Sequence, residues 1–338
     1  MIWLDNTKVS KSTHHSGLMR VSTQLQQSLG KAATGVAGPD WIKDSTPADW
    51  FLTAEIFTPE ERPGFAELLD QRPCRLAAIF HDAIPLKFPR ITWPNSVARH
   101  PAYMKMLARF DRVWAVSEYS RNELLGYWQW LGVKSQPSVE VLSLGANFMP
   151  NARTLAPRVN SPRKLLGVGI LEPRKNQSFL LNVCEHLWAD NLDFELHLVG
   201  RVNPHFGRPM VEQIKELKKK YPGLYFHAAA SDAMLDQLFQ ETRATVFPTI
   251  AEGCGIPVIE TLWRGVPCVC TDLPVLRENA SAGGCVLVTA NDASAWQVAL
   301  RRVLTDDDHY AQLIQEAISR PLKTWFDTAQ TIRRGLES

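Results

Sequence analysis

The run Pro248-Thr249-Ile250-Ala251-Glu252-Gly253-Cys254-Gly255-Ile256-Pro257-Val258-Ile259-Glu260 sets two carboxylates apart across a Gly-x-Gly turn that follows an apolar segment. Read as strand, turn and helix start, it puts Glu252 in the turn and Glu260 inside the helix, at most roughly 12 Å further on at 1.5 Å per residue. That is about the span of a nucleotide sugar from its hexose hydroxyls to its ribose hydroxyls. Ionised carboxylates only accept hydrogen bonds and so grip pairs of hydroxyls. The amides of Gly253, Cys254 and Gly255 at a helix start suit a diphosphate lying between. The same residues also fit a plain strand-to-helix connection, with Glu252 facing solvent and Glu260 an ordinary helix-surface residue.

Upstream in the chain stands Gly167-Val-Gly-Ile-Leu-Glu-Pro-Arg174-Lys175-Asn176, a strand running into a turn with two cations just before a helix. Arg by bidentate contact and Lys as a point charge neutralise the charge that builds on a departing nucleoside diphosphate; the alternative is a solvated basic turn. Phe80-His81-Asp82 ends an apolar strand at the edge where open α/β sheets present ligands. His81 there serves either a sugar hydroxyl or the leaving phosphate, or it is a structural histidine bonded to Asp82. Ser16-Gly17-Leu18-Met19-Arg20-Val21 follows the first apolar run. Gly17 opens either an amide approach to a diphosphate or a mere turn with His14 and His15.

The segment Phe247 to Glu278, with Gly265-Val266-Pro267 and Asp272-Leu-Pro-Val-Leu-Arg-Glu278, resembles the donor-binding signature of the retaining glycosyltransferases of family 4, the E-x7-E enzymes. The Arg174-Lys175 turn, His81-Asp82 and the Gly17 loop resemble the same family. Two departures are visible: Cys254 replaces a usual aromatic, and Gly169-Ile170 stands where some relatives carry an extra Arg. The resemblance implies a GT-B architecture, two Rossmann-like doubly wound α/β domains facing a central cleft. It implies catalytic roles for Glu252, Lys175, Arg174 and His81, and donor binding by Gly17, Gly253, Cys254, Gly255, Ile256 and Glu260. It also implies transfer of a hexose with retained anomeric configuration from a nucleotide sugar, GDP-mannose by analogy, to a glycan or lipid-linked acceptor of a surface polysaccharide. A sugar-nucleotide 2-epimerase and a non-catalytic nucleotide-sugar-binding subunit share this architecture and stay open. No cofactor or metal is expected, since no Asp-x-Asp precedes a strand end and Asp306-Asp307-Asp308 reads as a helix cap.

These residues must be positioned by alternating strands and helices. Apolar runs predict strands at 2–5, 50–54, 75–80, 112–116 and 139–144, then at 164–170, 194–199, 224–227, 244–248, 267–271 and 285–289. Helices are expected over 176–189, 209–220, 232–241 and 325–336. Residues 145–163 carry three prolines without apolar periodicity and read as a linker. The expected domains are 1–150 on the acceptor side, 151–320 for the nucleotide sugar, and a terminal helix in 321–338 crossing back to the first.

At 338 residues and 45% hydrophobic the chain suffices for two cores, and 37 basic against 35 acidic residues leave no field for nucleic acid. The six cysteines fall at no zinc or disulfide spacing and read as reduced and structural. Met1-Ile-Trp-Leu-Asp5 meets a charge too soon for a secretory signal and no run approaches a membrane span, so a cytoplasmic protein is expected. Lys87, Arg90, Arg99, Lys105 and Arg109 alternate with Phe88, Trp93, Tyr103 and Phe110 in a stretch without acids. That stretch is either a peripheral contact with the cytoplasmic face of the inner membrane or ordinary surface with buried aromatics.

Overall fold

The computed structural model describes residues 1–11, 17–148, 152–157 and 161–337. The chain divides into two compact units, Met1–Met149 with Lys323–Ser338, and Pro150–Leu322. The expected boundary at 150/151 and parts of the expected linker lie outside the described residues, as do His14, His15 and Ser16.

The first unit holds six strands: β1 (Ile2–Asp5), β2 (Ala33–Val36), β3 (Trp50–Thr53), β4 (Arg75–Phe80), β5 (Arg112–Ala115) and β6 (Ser138–Val141). They form one sheet in the order β2-β1-β3-β4-β5-β6, with every pairing parallel. Parallel sheets are covered on both faces and read as continuous apolar runs, and β4 is buried throughout except at Arg75. Five of these strands match the sequence expectation, and β2 is the addition. Its Ala-Thr-Gly-Val sequence mixes two strand-favouring residues with two that are depleted in strands and makes no apolar run. Gly35 permits it, since a Cβ there would stand 2.5 Å from Asn6 Nδ2 and 2.7 Å from Gln26 Oε1.

The helix Trp325–Glu337 packs on the helix Gly17–Leu29 within this unit, burying Trp325, Ile332 and Leu336. Trp50 Nε1 donates to the Leu336 carbonyl at 2.8 Å, the Trp325 N–H to Asn147 Oδ1 at 2.7 Å, and the Thr328 hydroxyl to the Ser143 carbonyl at 2.9 Å. Aromatic packing fills the core, including Trp41 stacked on Phe51 at 5.1 Å.

The second unit repeats the design with β7 (Lys164–Val168), β8 (Glu195–Val199), β9 (Leu224–His227), β10 (Ala244–Phe247), β11 (Cys268–Thr271) and β12 (Cys285–Val288). The order is β12-β11-β10-β7-β8-β9, again all parallel. Counted within the unit this is the 3-2-1-4-5-6 Rossmann order, whose direction reverses between β7 and β10. Helices begin where a side chain can accept from the third amide: Ser231 from Met234 N–H at 3.2 Å, Asp292 from Ala295 at 2.9 Å and Asp306 from His309 at 2.9 Å.

Candidate functional site

In open α/β sheets the crevice beyond the carboxyl ends of the strands, at the reversal of strand order, receives ligands. In the second unit that point lies beyond β7 and β10. The segment after β7 makes the single turn Pro173–Lys175, closed by Asn176 in the left-handed region at φ 59°. The segment after β10 runs through Thr249, Ala251 and Glu252 to Gly255, which precedes the helix Ile256–Trp263. Gly255 has φ 74°, and a Cβ there would meet Leu276 Cδ2 at 2.5 Å, so both backbone and space call for glycine.

These turns meet at Glu252, which is 8% exposed. Its Oε1 accepts from Lys175 Nζ at 2.6 Å, Arg174 Nη1 at 2.8 Å and the Thr249 hydroxyl at 2.8 Å. Lys175 also lies 4.8 Å from the centre of the Phe247 ring. Burial works against the Glu252 carboxylate, but the charges of Lys175 and Arg174 overcome it and hold its pKa below the usual value. For Lys175, burial and then Arg174 lower the ammonium pKa, against the pull of Glu252. Two partly buried cations thus face one carboxylate, and Glu252 is ionised.

Glu260, in the helix Ile256–Trp263, is buried at 7% exposure, so it is no ordinary surface residue. The Cys254 carbonyl accepts from Asn279 Nδ2 at 2.6 Å, and burial raises the Cys254 thiol to about 12. Gly253 and Ile256 complete the helix entry. All six cysteines are free, with Cys254 and Cys285 partly exposed and the rest buried.

In the first unit, His81 follows β4 and is 5% exposed. Its Nε2 lies 2.8 Å from the Ala54 carbonyl, which can only accept. Nε2 therefore carries the hydrogen, and in the neutral ring Nδ1 is an acceptor. Burial lowers the His81 pKa against the opposing Ala54 bond and Asp82 charge, which favours that neutral form. Asp82 instead accepts from the Ile84 N–H at 2.9 Å. Gly17 begins the helix Gly17–Leu29, and a Cβ there would meet nothing within 4 Å.

A cluster that sequence reasoning missed lies at the reversal between β1 and β3. Arg62 bonds Asp5 at 2.7 Å and Glu55 at 2.5 Å, with its guanidinium 3.9 Å from the centre of the Phe57 ring. Burial and the Asp5 charge push Glu55 up, and burial followed by Arg99 pulls Lys8 down. Beside it opens a pocket of about 570 Å³ lined by Thr7, Lys8, Lys11, Met19, Phe57, Glu61 and Arg62. No motif spacing marks this group, because its members come from three separate segments.

The cationic, aromatic stretch resolves into packing and pairs. Tyr103 and Phe110 are core residues. Lys87 pairs with Glu123, Arg99 with Glu61 and Arg109 with Asp70, while Arg90, Trp93 and Lys105 are exposed. Among the described residues no helix is long and apolar enough to cross a membrane. Nor, among them, is any group of three or more His, Cys, Asp or Glu placed to hold a metal ion.

Over 99% of its length the chain matches 98% of sucrose-phosphate synthase from Thermosynechococcus elongatus, with a TM-score of 0.74 and 16% identity. It matches 99% of Anabaena Alr3699/HepE, solved with UDP and glucose, with a TM-score of 0.71 and 15% identity. These likenesses, with two six-stranded parallel sheets, define the GT-B fold. Residues 153–320 match the family Glycosyl transferases group 1, and the chain belongs to that family. The serotype-specific mannosyltransferase WbdA of Escherichia coli is 27% identical over 239 residues, covering 64% of this chain and 29% of that protein. The O-antigen chain mannosyltransferase RfbU of Salmonella typhimurium is 28% identical over 156 residues, 46% of this chain and 40% of that protein. The matched region thus spans less than a third of WbdA and less than half of RfbU.

Proposed function

We propose that this protein is a hexosyltransferase of surface polysaccharide synthesis, moving mannose from GDP-mannose to a glycan or lipid-linked glycan. The observation that carries the reading is the meeting of Lys175, Arg174 and Glu252 at the β7/β10 reversal in a member of the group 1 family. Mannose and polysaccharide are read across from WbdA and RfbU.

In this reading the donor's C1–O bond to phosphate breaks while an acceptor hydroxyl forms a new bond to C1 on the same face. The acceptor proton passes to the departing phosphate oxygen, so no protein nucleophile is needed and configuration is retained. The protein contributes placement and preorganised charge. Lys175 and the amides of Gly253 to Gly255 meet the diphosphate, and Gly17, at a helix start of the first unit, is assigned to donor binding. Glu252 Oε2 faces hexose hydroxyls, and Glu260 takes the ribose. The His81 Nδ1 lone pair accepts from a sugar hydroxyl, the one of its two proposed partners that can donate. The charge on the leaving group is carried without a metal ion. The pocket beside Lys8, Phe57 and Arg62 receives the acceptor. A lipid-linked acceptor brings the protein to the cytoplasmic face of the inner membrane, where Arg90, Trp93 and Lys105 are available to it.

The test begins with a thermal-shift panel of nucleotide sugars, in which a donor at one hundred times its dissociation constant stabilises by roughly 2.7 kcal/mol. The stabilising donor is then incubated with mannose-terminated, lipid-linked oligosaccharides and the products are read by mass spectrometry. Gain of one hexose by the acceptor is the expected result. Epimerised donor in the absence of acceptor would point to a 2-epimerase instead, and binding without turnover to an accessory subunit.

A further inference from the structure

Arg174 and Lys175 are adjacent, yet the structure treats them differently. Arg174 Nε donates to Glu172 Oε1 at 3.1 Å, and Nη2 lies 2.8 Å from the same oxygen. Nη1 donates to the Ala251 carbonyl at 2.9 Å and to Glu252 Oε1 at 2.8 Å. The Arg174 carbonyl in turn accepts the Ile250 N–H at 2.9 Å. One side chain therefore holds Glu172 within the segment after β7 through two nitrogens and reaches the segment after β10 through the third. Lys175 pairs with Glu252 at 2.6 Å and feels the Glu172 charge from further off.

The tie has an anchor. Glu172 Oε2 accepts from Asn203 Nδ2 at 3.2 Å. Asn203 is 7% exposed, and its Oδ1 accepts the His205 and Phe206 N–H groups at 2.9 and 3.2 Å. Its own N–H donates to the Leu171 carbonyl at 3.1 Å. Asn203, Glu172, Arg174 and Glu252 thus form a chain of bonds linking the segments after β8, β7 and β10.

We infer that Arg174 is a positioning residue rather than a phosphate ligand: with Glu172 and Asn203 it fixes Glu252 beside Lys175, and Lys175 alone of the two cations turns to an anionic ligand. The inference deepens the glycosyltransferase reading and rests on it. Glu172 already neutralises Arg174, and reaching a diphosphate would break bonds on several of its nitrogens, three of them to the carboxylates of Glu172 and Glu252. Lys175 need exchange only its bond to Glu252, and that carboxylate keeps Arg174 and Thr249 when Lys175 swings away. Gly169 stands beside this ammonium's stem, since a Cβ there would lie 3.6 Å from Lys175 Cε.

The experiment compares Arg174→Gln, Glu172→Gln, Asn203→Ala and Lys175→Ala. Calorimetry with GDP and with UDP gives nucleotide affinity, and carbon-13 NMR follows the titration of the Glu252 carboxyl. The groups acting on that carboxyl are Lys175, Arg174 and Thr249, and the Cys254 thiol on the same turn feels its charge. Arg174→Gln is expected to leave diphosphate affinity within threefold of the parent, move the Glu252 titration to higher pH and lower kcat at least tenfold. Glu172→Gln and Asn203→Ala should show the same pattern in smaller measure, while Lys175→Ala weakens the diphosphate at least tenfold. A tenfold loss of diphosphate affinity in Arg174→Gln with the Glu252 titration unmoved overturns the inference. Should Arg174→Gln fail to fold, an unmoved Glu252 titration in both other variants overturns it equally. Neither readout needs turnover, so an inactive parent enzyme would sink the glycosyltransferase reading without deciding this one.

Discussion

Replacing Lys175 by Met separates a catalytic ammonium from a structural one. Its side chain is 11% exposed and gives Glu252 one of three hydrogen bonds to Oε1, the others coming from Arg174 and Thr249. Stranding a buried charge costs about 3–5 kcal/mol, but Glu252 keeps two donors and Met no longer has an ammonium to desolvate. The net loss should be nearer about 1–2 kcal/mol, the low end for a hydrogen bond to a charged group. For a unit of this size that lowers Tm by roughly 2–8 °C. Against a native stability of about 5–15 kcal/mol, the variant stays more than about 99% folded at 25 °C. If the ammonium faces the leaving diphosphate, turnover should nevertheless fall about 10²-fold or more, equivalent to about 2.7 kcal/mol of transition-state stabilisation. Initial rates with the donor selected by thermal shift, paired with urea denaturation, measure the two quantities on the same preparation. Near-parental turnover in a folded variant removes Lys175 from the chemistry, and a stability loss above about 4 kcal/mol shows that the bookkeeping of the Glu252 contacts is wrong.

Three further outcomes are expected. Glu260→Gln should weaken both free nucleoside diphosphate and donor, whereas Glu252→Gln should leave the diphosphate as tight or tighter because Lys175 is released from its partner; equal losses in calorimetry would show the two carboxylates wrongly assigned. Activity should survive excess EDTA and an α-linked donor should give an α-linked product, read from anomeric couplings in the first-formed product. A β-linked product would end the retaining mechanism, and strict need for a divalent ion would end the account of the phosphate charge. Gly145→Ala should lower the stability of the first unit by about 1–3 kcal/mol or more, the usual scale of overpacking, since the new Cβ would stand 2.2 Å from the Trp325 backbone nitrogen. An unchanged denaturation midpoint would mean that the terminal helix is not held there.

The alternation of apolar runs, the glycine-rich turn before Ile256 and the paired cations before Gln177 were legible in the chain because each is a local fact. Strand propensity, a left-handed glycine and a capping side chain act over a few residues. Eleven of the twelve strands could be read this way, and β2 could not, because its formation depends on Gly35 letting Asn6 and Gln26 close in rather than on its own propensity. The candidate site divides along the same line. Glu252, Glu260, Arg174 and Lys175 were visible as types at a spacing, but their working state was not. Only the parallel order that sets β7 beside β10 brings Lys175 against Glu252, and only the loop after β8 supplies Asn203 to hold Glu172. The Asp5, Arg62 and Glu55 cluster was invisible for the same reason, while the burial of Tyr103 and Phe110 was one of two readings the sequence left open. Sequence determines which groups can bear charge and where the backbone can turn. Which charges face one another, how deeply they are removed from water and so which remain ready for a ligand depends on contacts between segments distant in the chain, and the tertiary structure alone decides those.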